Sequence, residues 1–492
     1  MKIKNKKILI IETFPDTPLI EASCEIALNL KKNNNVNFFW CGYDLPWKDW
    51  EISIFKKIIG FSFEDKIKLI AKILKKNNIG TIDKFDLNKN KIQYIKEWSK
   101  TYNQKKELRN FQYKEKKINI NLGISVESSL LSMYKNYDFK NDNEVIQKAL
   151  YSAAIIFNRS VEIIKKKKPS VIITFNNRFA ISRPIIEAAK FCKIKVIRHE
   201  VGSSEDKYEI FYDDVHNLKA RGETIYKYWN KTAKTLRLKN AKTFFLMPYK
   251  KTKKINTGSG KINSFSLKQD EKIQLPKNKK IVTFFTSSNY EFEALSSDLL
   301  SFSHSKDFKD QISALKSLVT IIKKLKNYLL IIRVHPSSKN SNFENSFWEK
   351  YKSKNIKIIK SESRINSFDL LKKSDYIVTY GSTLAVHAAY YNKPSITLRK
   401  HVFSKSNVLI EPKDKQELYK VLNKNYSRDT REKCLPYGNY IMSFGTKFKY
   451  FKTDPIFKGY INNIPVNNFG SFVNFILKLI YPILKHYKND SK

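Results

Sequence analysis

The sequence predicts an α/β protein built on two doubly wound parallel sheets, and three observations carry that expectation. Short β-branched runs alternate with stretches of helical length. The alternation starts at the N-terminus and starts again near residue 281. The length of 492 residues exceeds one ordinary core and suggests two or three domains.

KKILII at 6–11 reads as a first strand, followed by a loop with Pro15 and Pro18, a helix from about 20 to 31, and the strand VNFFW at 36–40. This is a Rossmann-like beginning, but its loop lacks G-x-G-x-x-G and so lacks the dinucleotide fingerprint. Lysine-rich, mostly helical sequence fills roughly 50–168. VIITF at 171–175 then leads into Asn176-Asn177-Arg178, a helix over about 183–192, and KVIRHE. Glu200 therefore falls where a parallel strand delivers residues to a crevice. Polar clusters such as NTGSGKINS mark 238–279 as an interdomain connection.

The second domain opens with the strand IVTFFT at 281–286. Ser288 and Glu291 form a capping-box pattern, with Ser287 at the same sheet edge. LLIIRV ends at His335-Pro336, whose proline cannot continue a central ladder. IKII, YIVTY and SITL follow as strands, and Gly381-Ser382-Thr383 stands between YIVTY and the helical stretch LAVHAAYY. The resulting boundaries are 1–237, a connection at 238–279, a second domain at 280–430, and a segment at 431–492 expected to return to the first domain.

Ser382 or Thr383 is expected at a helix N-cap, where unpartnered N–H groups and the helix dipole attract an anion such as phosphate. Gly381 would let the backbone approach a ligand closely. Taken singly, Ser382 could merely cap its helix and His335 could merely bond a neighbour; together, in successive β/α units, they point to a nucleotide site.

The net charge of +47 is carried mostly by lysine scattered among Asn and Ile, the bias of an AT-rich genome, so no specific nucleic-acid partner is expected. The field would still favour anionic substrates and anionic membrane surfaces. Cys24, Cys41, Cys192 and Cys434 show no metal or redox spacing and suit a reduced cytosol. The N-terminal apolar run is too short for a signal segment. Asn474, Lys478 and Pro482 interrupt the apolar stretch near the C-terminus below the ~20 residues needed to span a bilayer. A cytoplasmic protein is expected, with 471–488 either packed on the first domain or lying on the inner membrane surface.

Several segments in order, TPLIEASCEIALNL with FFWCGYDLPW, NNRFAISRPIIEAAK with IRHEVGSS, FFTSSNYEFEAL, RVHP, VTYGSTLAVHAAYYNKPSI and YGNYIMSFGTKF, resemble bacterial capsule or surface polysaccharide biosynthesis proteins. The resemblance implies a GT-B architecture, two Rossmann-like domains facing across a cleft, with a nucleotide-sugar donor held mainly by the C-terminal one. In similar enzymes transferring Kdo, sialic acid or glycerol phosphate, a His-Pro pair and a later Ser/Thr pair contact the nucleotide and its phosphates. The matching residues here are His335-Pro336 and Ser382-Thr383. Related epimerases carry acidic residues after the glycine turn, where this chain has Leu384, Ala385, Val386 and His387, which argues against epimerase chemistry.

The expected function is therefore glycosyl transfer from a nucleotide-sugar, as substrate rather than cofactor, to a glycan or lipid-linked acceptor. Ser287, Ser288, Arg333, His335, Pro336, Gly381, Ser382 and Thr383 would hold the nucleotide and its phosphates. Glu200 or Glu21 would be the base, and Arg178 with Asn177 would bind the acceptor. No D-x-D motif stands out, so no metal is required. The alternatives are a glycerol-phosphate polymer transferase using a CDP-linked donor, a nucleotide-sugar epimerase, and a non-enzymatic nucleic-acid-binding or scaffold protein.

Overall fold

A computed structural model describes residues 3–13, 18–42, 44–46, 63–82, 85–134, 138–204, 206–247, 255–257, 260–262, 271, 273–288, 294, 306–336, 338, 347–402, 404–424, 429–454, 458–461, 464–466 and 479. The chain divides into two units, Met1–Val215 with Gly445–Lys492, and His216–Phe444. The transition thus lies earlier than the boundary expected at 237. The helices between the two positions pack their apolar faces within the second unit, through Ile225, Phe244 and Phe245.

In the first unit the chain runs β1 (Lys7–Glu12), α1 (Leu19–Lys31), β2 (Asn35–Trp40), α2 (Phe63–Lys76) and β3 (Gly80–Ile82). An insertion follows with α3 (Lys89–Lys100), the hairpin β4 (Gln112–Glu115) and β5 (Ile118–Asn121), α4 (Gly123–Tyr134) and α5 (Asn143–Lys167). The chain re-enters the sheet through β6 (Val171–Phe175), α6 (Arg183–Phe191), β7 (Lys195–Val201) and β8 (Lys207–Phe211). The insertion is mostly helical, as expected, and adds one hairpin that Trp98 of α3 holds through its ring contacts with Phe111 and Tyr113.

The second unit holds α7 (Leu218–Lys231), α8 (Lys234–Leu246), the short hairpin β9 (Ile255–Thr257) and β10 (Gly260–Ile262), and then β11 (Lys280–Phe285). It continues through α9 (Gln311–Lys324), β12 (Tyr328–Arg333), β13 (Ile356–Ile359), α10 (Ser367–Lys373), β14 (Tyr376–Thr379), α11 (Leu384–Tyr390), β15 (Ser395–Thr397), α12 (Lys415–Asn423) and α13 (Arg431–Ser443). The last strands, β16 (Thr446–Lys447), β17 (Phe451–Asp454), β18 (Lys458–Ile461) and β19 (Ile464–Pro465), belong to the first unit.

Both sheets share one winding. The first runs β16-β8-β7-β6-β1-β2-β3, with β7, β6, β1, β2 and β3 parallel, β8 antiparallel to β7, and β16 antiparallel to β8; the second runs β13-β12-β11-β14-β15, all parallel. In each, the strand order reverses beside the first strand, so crevices open at the carboxyl ends of β1 and β6 and of β11 and β14. The period-2 pleat explains why the runs are apolar throughout. Val282 and Phe284 pack on α9 and α12, whereas Ile281 and Phe285 pack with Leu370 and Leu371 of α10 on the opposite face.

β16 pairs with β8, and Phe448 N donates to Asp206 O at 2.9 Å. Except for Leu479, the apolar stretch 471–488 lies outside the described residues. Among the described residues no helix is long and apolar enough to cross a membrane.

Candidate functional site

The reversal point of the second unit gathers the residues expected to hold a nucleotide. β11 ends at Ser287-Ser288, β12 at His335-Pro336, and β14 at Gly381-Ser382-Thr383, all at the carboxyl edge. Gln311, at the start of α9, clamps Ser287 in both directions: Ser287 N donates to its Oε1 at 2.6 Å and its Nε2 donates to Ser287 O at 2.9 Å. Ser288 is buried, with Oγ 3.4 Å from His335 Nδ1, and His335 N donates to Thr286 Oγ1 at 2.8 Å. Glu291, the other half of the capping-box pattern, lies outside the described residues.

Burial, with the Arg333 charge adding to it, pulls the His335 pKa down to about 4. At neutral pH the imidazole is therefore uncharged and can offer a phosphate one N–H rather than a full positive charge.

Gly381 has φ +91°, a conformation that a side chain at this turn would strain. Thr383 occupies the N-cap of α11 without a side-chain bond, while Ser382 Oγ accepts from Leu384 N at 3.3 Å. Because α11 is only 7 residues long, its dipole is small, and what this turn offers a ligand is hydroxyl and backbone donors rather than a long helix field.

Arg333 is a correction. It is 1% exposed, and its guanidinium donates to the carbonyls of Lys360 and, at 3.1 Å, Ser363. It ties down the loop after β13. Its place at the end of LLIIRV gave no hint of those two carbonyls, which the loop after β13 supplies.

The first unit builds a separate polar edge. Asn176, at φ +53°, ends β6 in a left-handed turn; its Oδ1 accepts from Asn177 N at 2.6 Å and Arg178 N at 3.0 Å, and its Nδ2 donates to Glu200 Oε1. Asn tolerates this conformation because its side chain bonds locally. Glu200 lies within β7, directly opposite Glu209 of β8, so two carboxylates share one face of the sheet. Asn177 Nδ2 donates to Asp214, and its buried Oδ1 has no partner among the described residues. The Arg178 guanidinium lies 4.3 Å from the centre of the Phe179 ring.

Glu21 is the second correction. It sits on α1, fully enclosed, with Lys66 Nζ 2.8 Å from its Oε1 and both side chains at 0% exposure. A base must reach its substrate, and a carboxylate neutralised inside the core does not. A further enclosed group links three elements: Ser23 Oγ donates to Glu12 Oε2 at 2.5 Å and lies 2.7 Å from His199 Nε2.

Sequence reasoning missed Glu209 and Asp214. The tight antiparallel return of β8 after β7 would have been the signal for both. Among the described residues no group of three or more His, Cys, Asp or Glu could hold a metal ion.

Two Rossmann-like sheets with polar reversal points are the GT-B pattern, and the family comparison agrees with it. The model of the UDP-N-acetylglucosamine 2-epimerase family matches residues 125–440. The chain belongs to that family. Family membership reopens the epimerase chemistry that the apolar residues Leu384, Ala385 and Val386 argued against, because the matched span includes the glycine turn itself. The coarse conclusion is an enzyme of the GT-B superfamily.

Similar solved structures include the beta Kdo 2,4 transferase KpsC of Thermosulfurimonas dismutans, at 13% identity over 55% of this chain and 79% of that one, with a TM-score of 0.38. Another is the UDP-GlcNAc 2-epimerase of Neisseria meningitidis bound to UDP-GlcNAc, at 11% identity over 97% of this chain and 100% of that one, with a TM-score of 0.28. Likeness at this level says nothing about chemistry. No curated protein sequence matches the chain.

Proposed function

We propose that this chain is a glycosyltransferase that moves a sugar from a nucleotide-sugar donor to a growing capsule or surface glycan, free or lipid-linked. The supporting observation is a division of chemistry between the two sheet edges. The second unit's edge offers hydroxyl, imidazole and backbone donors from Ser288, His335, Ser382 and Thr383, suited to a phosphate leaving group. The first unit's edge offers the part-exposed carboxylate Glu200, opposite Glu209 of β8, suited to taking a proton.

In this reading Glu200, oriented by Asn176, accepts the acceptor hydroxyl's proton as that oxygen bonds to the donor's anomeric carbon. The anomeric C–O bond breaks, and its electron pair leaves with the nucleotide. Asn177 and Arg178 bind the acceptor. The net charge of +47 would draw an anionic acceptor, or the anionic inner face of a membrane, toward the protein.

Family membership favours a second reading, 2-epimerisation of UDP-N-acetylglucosamine. One experiment separates the two. A thermal-shift screen with CMP, CDP, UDP, GDP and their sugars identifies the nucleotide by mass-action stabilisation. The protein is then incubated with UDP-N-acetylglucosamine in heavy water without an acceptor. Deuterium at C2 of the sugar establishes epimerisation; an unchanged nucleotide-sugar, turned over only when a glycan acceptor is added, supports transfer.

A further inference from the structure

α8 carries apolar side chains on two faces, and α13 takes one of them. Ala241, Phe244 and Phe245 are buried in the cluster that α13 completes, with the Phe244 ring 5.7 Å from that of Tyr437 and Asn240 Nδ2 donating to Asn439 Oδ1 at 3.1 Å. The two helices meet closely: a side chain on Gly438 would come within 2.8 Å of the Phe245 ring and 3.1 Å of the Ala241 backbone. Seated in this way, α8 cannot roll its other face inward.

That other face reads Leu236, Lys239, Thr243 and Leu246, all exposed, at spacings of three and four that line them up on one side of the helix. Leu236 is 50% and Leu246 41% exposed, and the stripe between them is about 15 Å long. Lys242 is exposed at its flank. Arg237 is spent within the helix pair, since its Nη1 donates to Trp229 O at 3.1 Å and its guanidinium lies 4.5 Å from the Trp229 ring centre.

α8 has no acidic residue, and it falls inside the longest interval of the chain without Asp or Glu, from Glu223 to Asp270. The lysine bias of the whole chain does not account for that interval, because 46 acidic residues are spread over the rest. Exposed leucines among lysines suit an anionic bilayer, where the leucines enter the acyl boundary and the ammonium groups stay level with the lipid phosphates. A nucleic acid would require stacking aromatics or arginine forks, and this face has neither. A second copy would set like charges against each other.

We propose that the outward face of α8 docks the protein on an anionic phospholipid surface, with Leu236 and Leu246 inserted and Lys239 and Lys242 at the lipid phosphates. Docking there goes beyond the transfer reading and does not depend on which nucleotide-sugar reaction is catalysed. It would keep the enzyme beside a lipid-linked acceptor.

The test is flotation of the full chain with vesicles of phosphatidylcholine alone or with about a third phosphatidylglycerol. The wild type should bind the anionic vesicles and leave the neutral ones. Leu236→Ser with Leu246→Ser, and separately Lys239→Gln with Lys242→Gln, should each weaken that binding roughly 10-fold or more at an unchanged melting temperature. Lys323→Gln with Lys324→Gln, exposed lysines on α9 of the same unit, should stay within about 2-fold of wild type. Wild-type protein that ignores anionic vesicles overturns the proposal, as do α8 variants that bind like wild type, which would put the contact elsewhere in the chain. A control pair that loses as much as the α8 lysines marks undirected charge attraction and overturns it too. So does a leucine pair that turns an oligomer into a monomer without changing vesicle binding, which assigns the face to a second copy. No nucleotide enters the assay, so these outcomes leave the transfer reading untouched.

Discussion

Glu25 offers the sharpest stability test, because one buried carboxylate fastens the C-terminal segment to α1. Glu25 is 1% exposed, and three backbone N–H groups donate to it: Lys449 to Oε1 at 2.7 Å, and Tyr450 and Phe451 to Oε2 at 2.7 and 3.1 Å. Asn29 Nδ2 adds a fourth donor at 2.8 Å. Glu25→Ala removes the shared acceptor and leaves those N–H groups facing a cavity. At roughly 1–3 kcal/mol for each unsatisfied buried group, three give about 3–9 kcal/mol, and water entering the cavity should bring the observed loss to about 3–5 kcal/mol. Glu25→Gln keeps one acceptor oxygen but turns an NH₂ toward the donors, so it should cost about half as much. The assay is chemical denaturation together with amide hydrogen exchange read at 449–451. The first unit should destabilise, and exchange at those three amides should accelerate well beyond the change elsewhere. If Glu25→Ala costs under about 1 kcal/mol and leaves protection at 449–451 unchanged, the carboxylate does not hold the segment.

Three further outcomes are expected. Ser382→Ala with Thr383→Ala should weaken nucleotide binding by roughly 10-fold or more at unchanged thermal stability, since the pair contributes hydroxyls and little packing; titration calorimetry checks this. Glu200→Gln should lower turnover by roughly 10²- to 10⁴-fold with nucleotide affinity retained, whereas Glu21→Gln, which strands the buried Lys66 charge, should destabilise by about 3–5 kcal/mol; steady-state kinetics and denaturation on both variants separate a base from a structural carboxylate. Burial pulls the pKa of His335 down to about 4 and of His387 and His401 to about 3, so below about pH 6.5 the unfolded chain binds protons that the folded second unit refuses. Stability of that unit should be flat above about pH 6.5 and fall steadily from there toward pH 4; pH-dependent melting showing no such fall would contradict the enclosure of these rings.

The strands were legible because each is a local run of β-branched residues: KILIIE, VIITF, YLLIIR and YIVT need no knowledge of their partners to be recognised. Their polar exits were equally local, so His335-Pro336, Gly381-Ser382-Thr383 and Asn176-Asn177-Arg178 could be placed at sheet edges from the sequence. β3 was not legible, since GTI is three residues long and becomes a strand only by pairing with β2. The β4–β5 hairpin was hidden for the same reason, held by aromatic contacts with a helix that lies well before it in the chain.

Which charged residues face a ligand was decided only by the tertiary structure. Glu21 and Glu200 look alike in sequence, yet a helix some 40 residues away supplies Lys66 to enclose the first, while Asn176 and the opposing Glu209 define the second. Arg333 ends an apolar strand, and only the folded chain brings the Lys360 and Ser363 carbonyls to its guanidinium. The sequence by itself determined the central strands of both sheets, because backbone propensity and burial periodicity act over a few residues. The roles of the charges waited for folding, because desolvation and pairing depend on neighbours that the chain brings together from far apart.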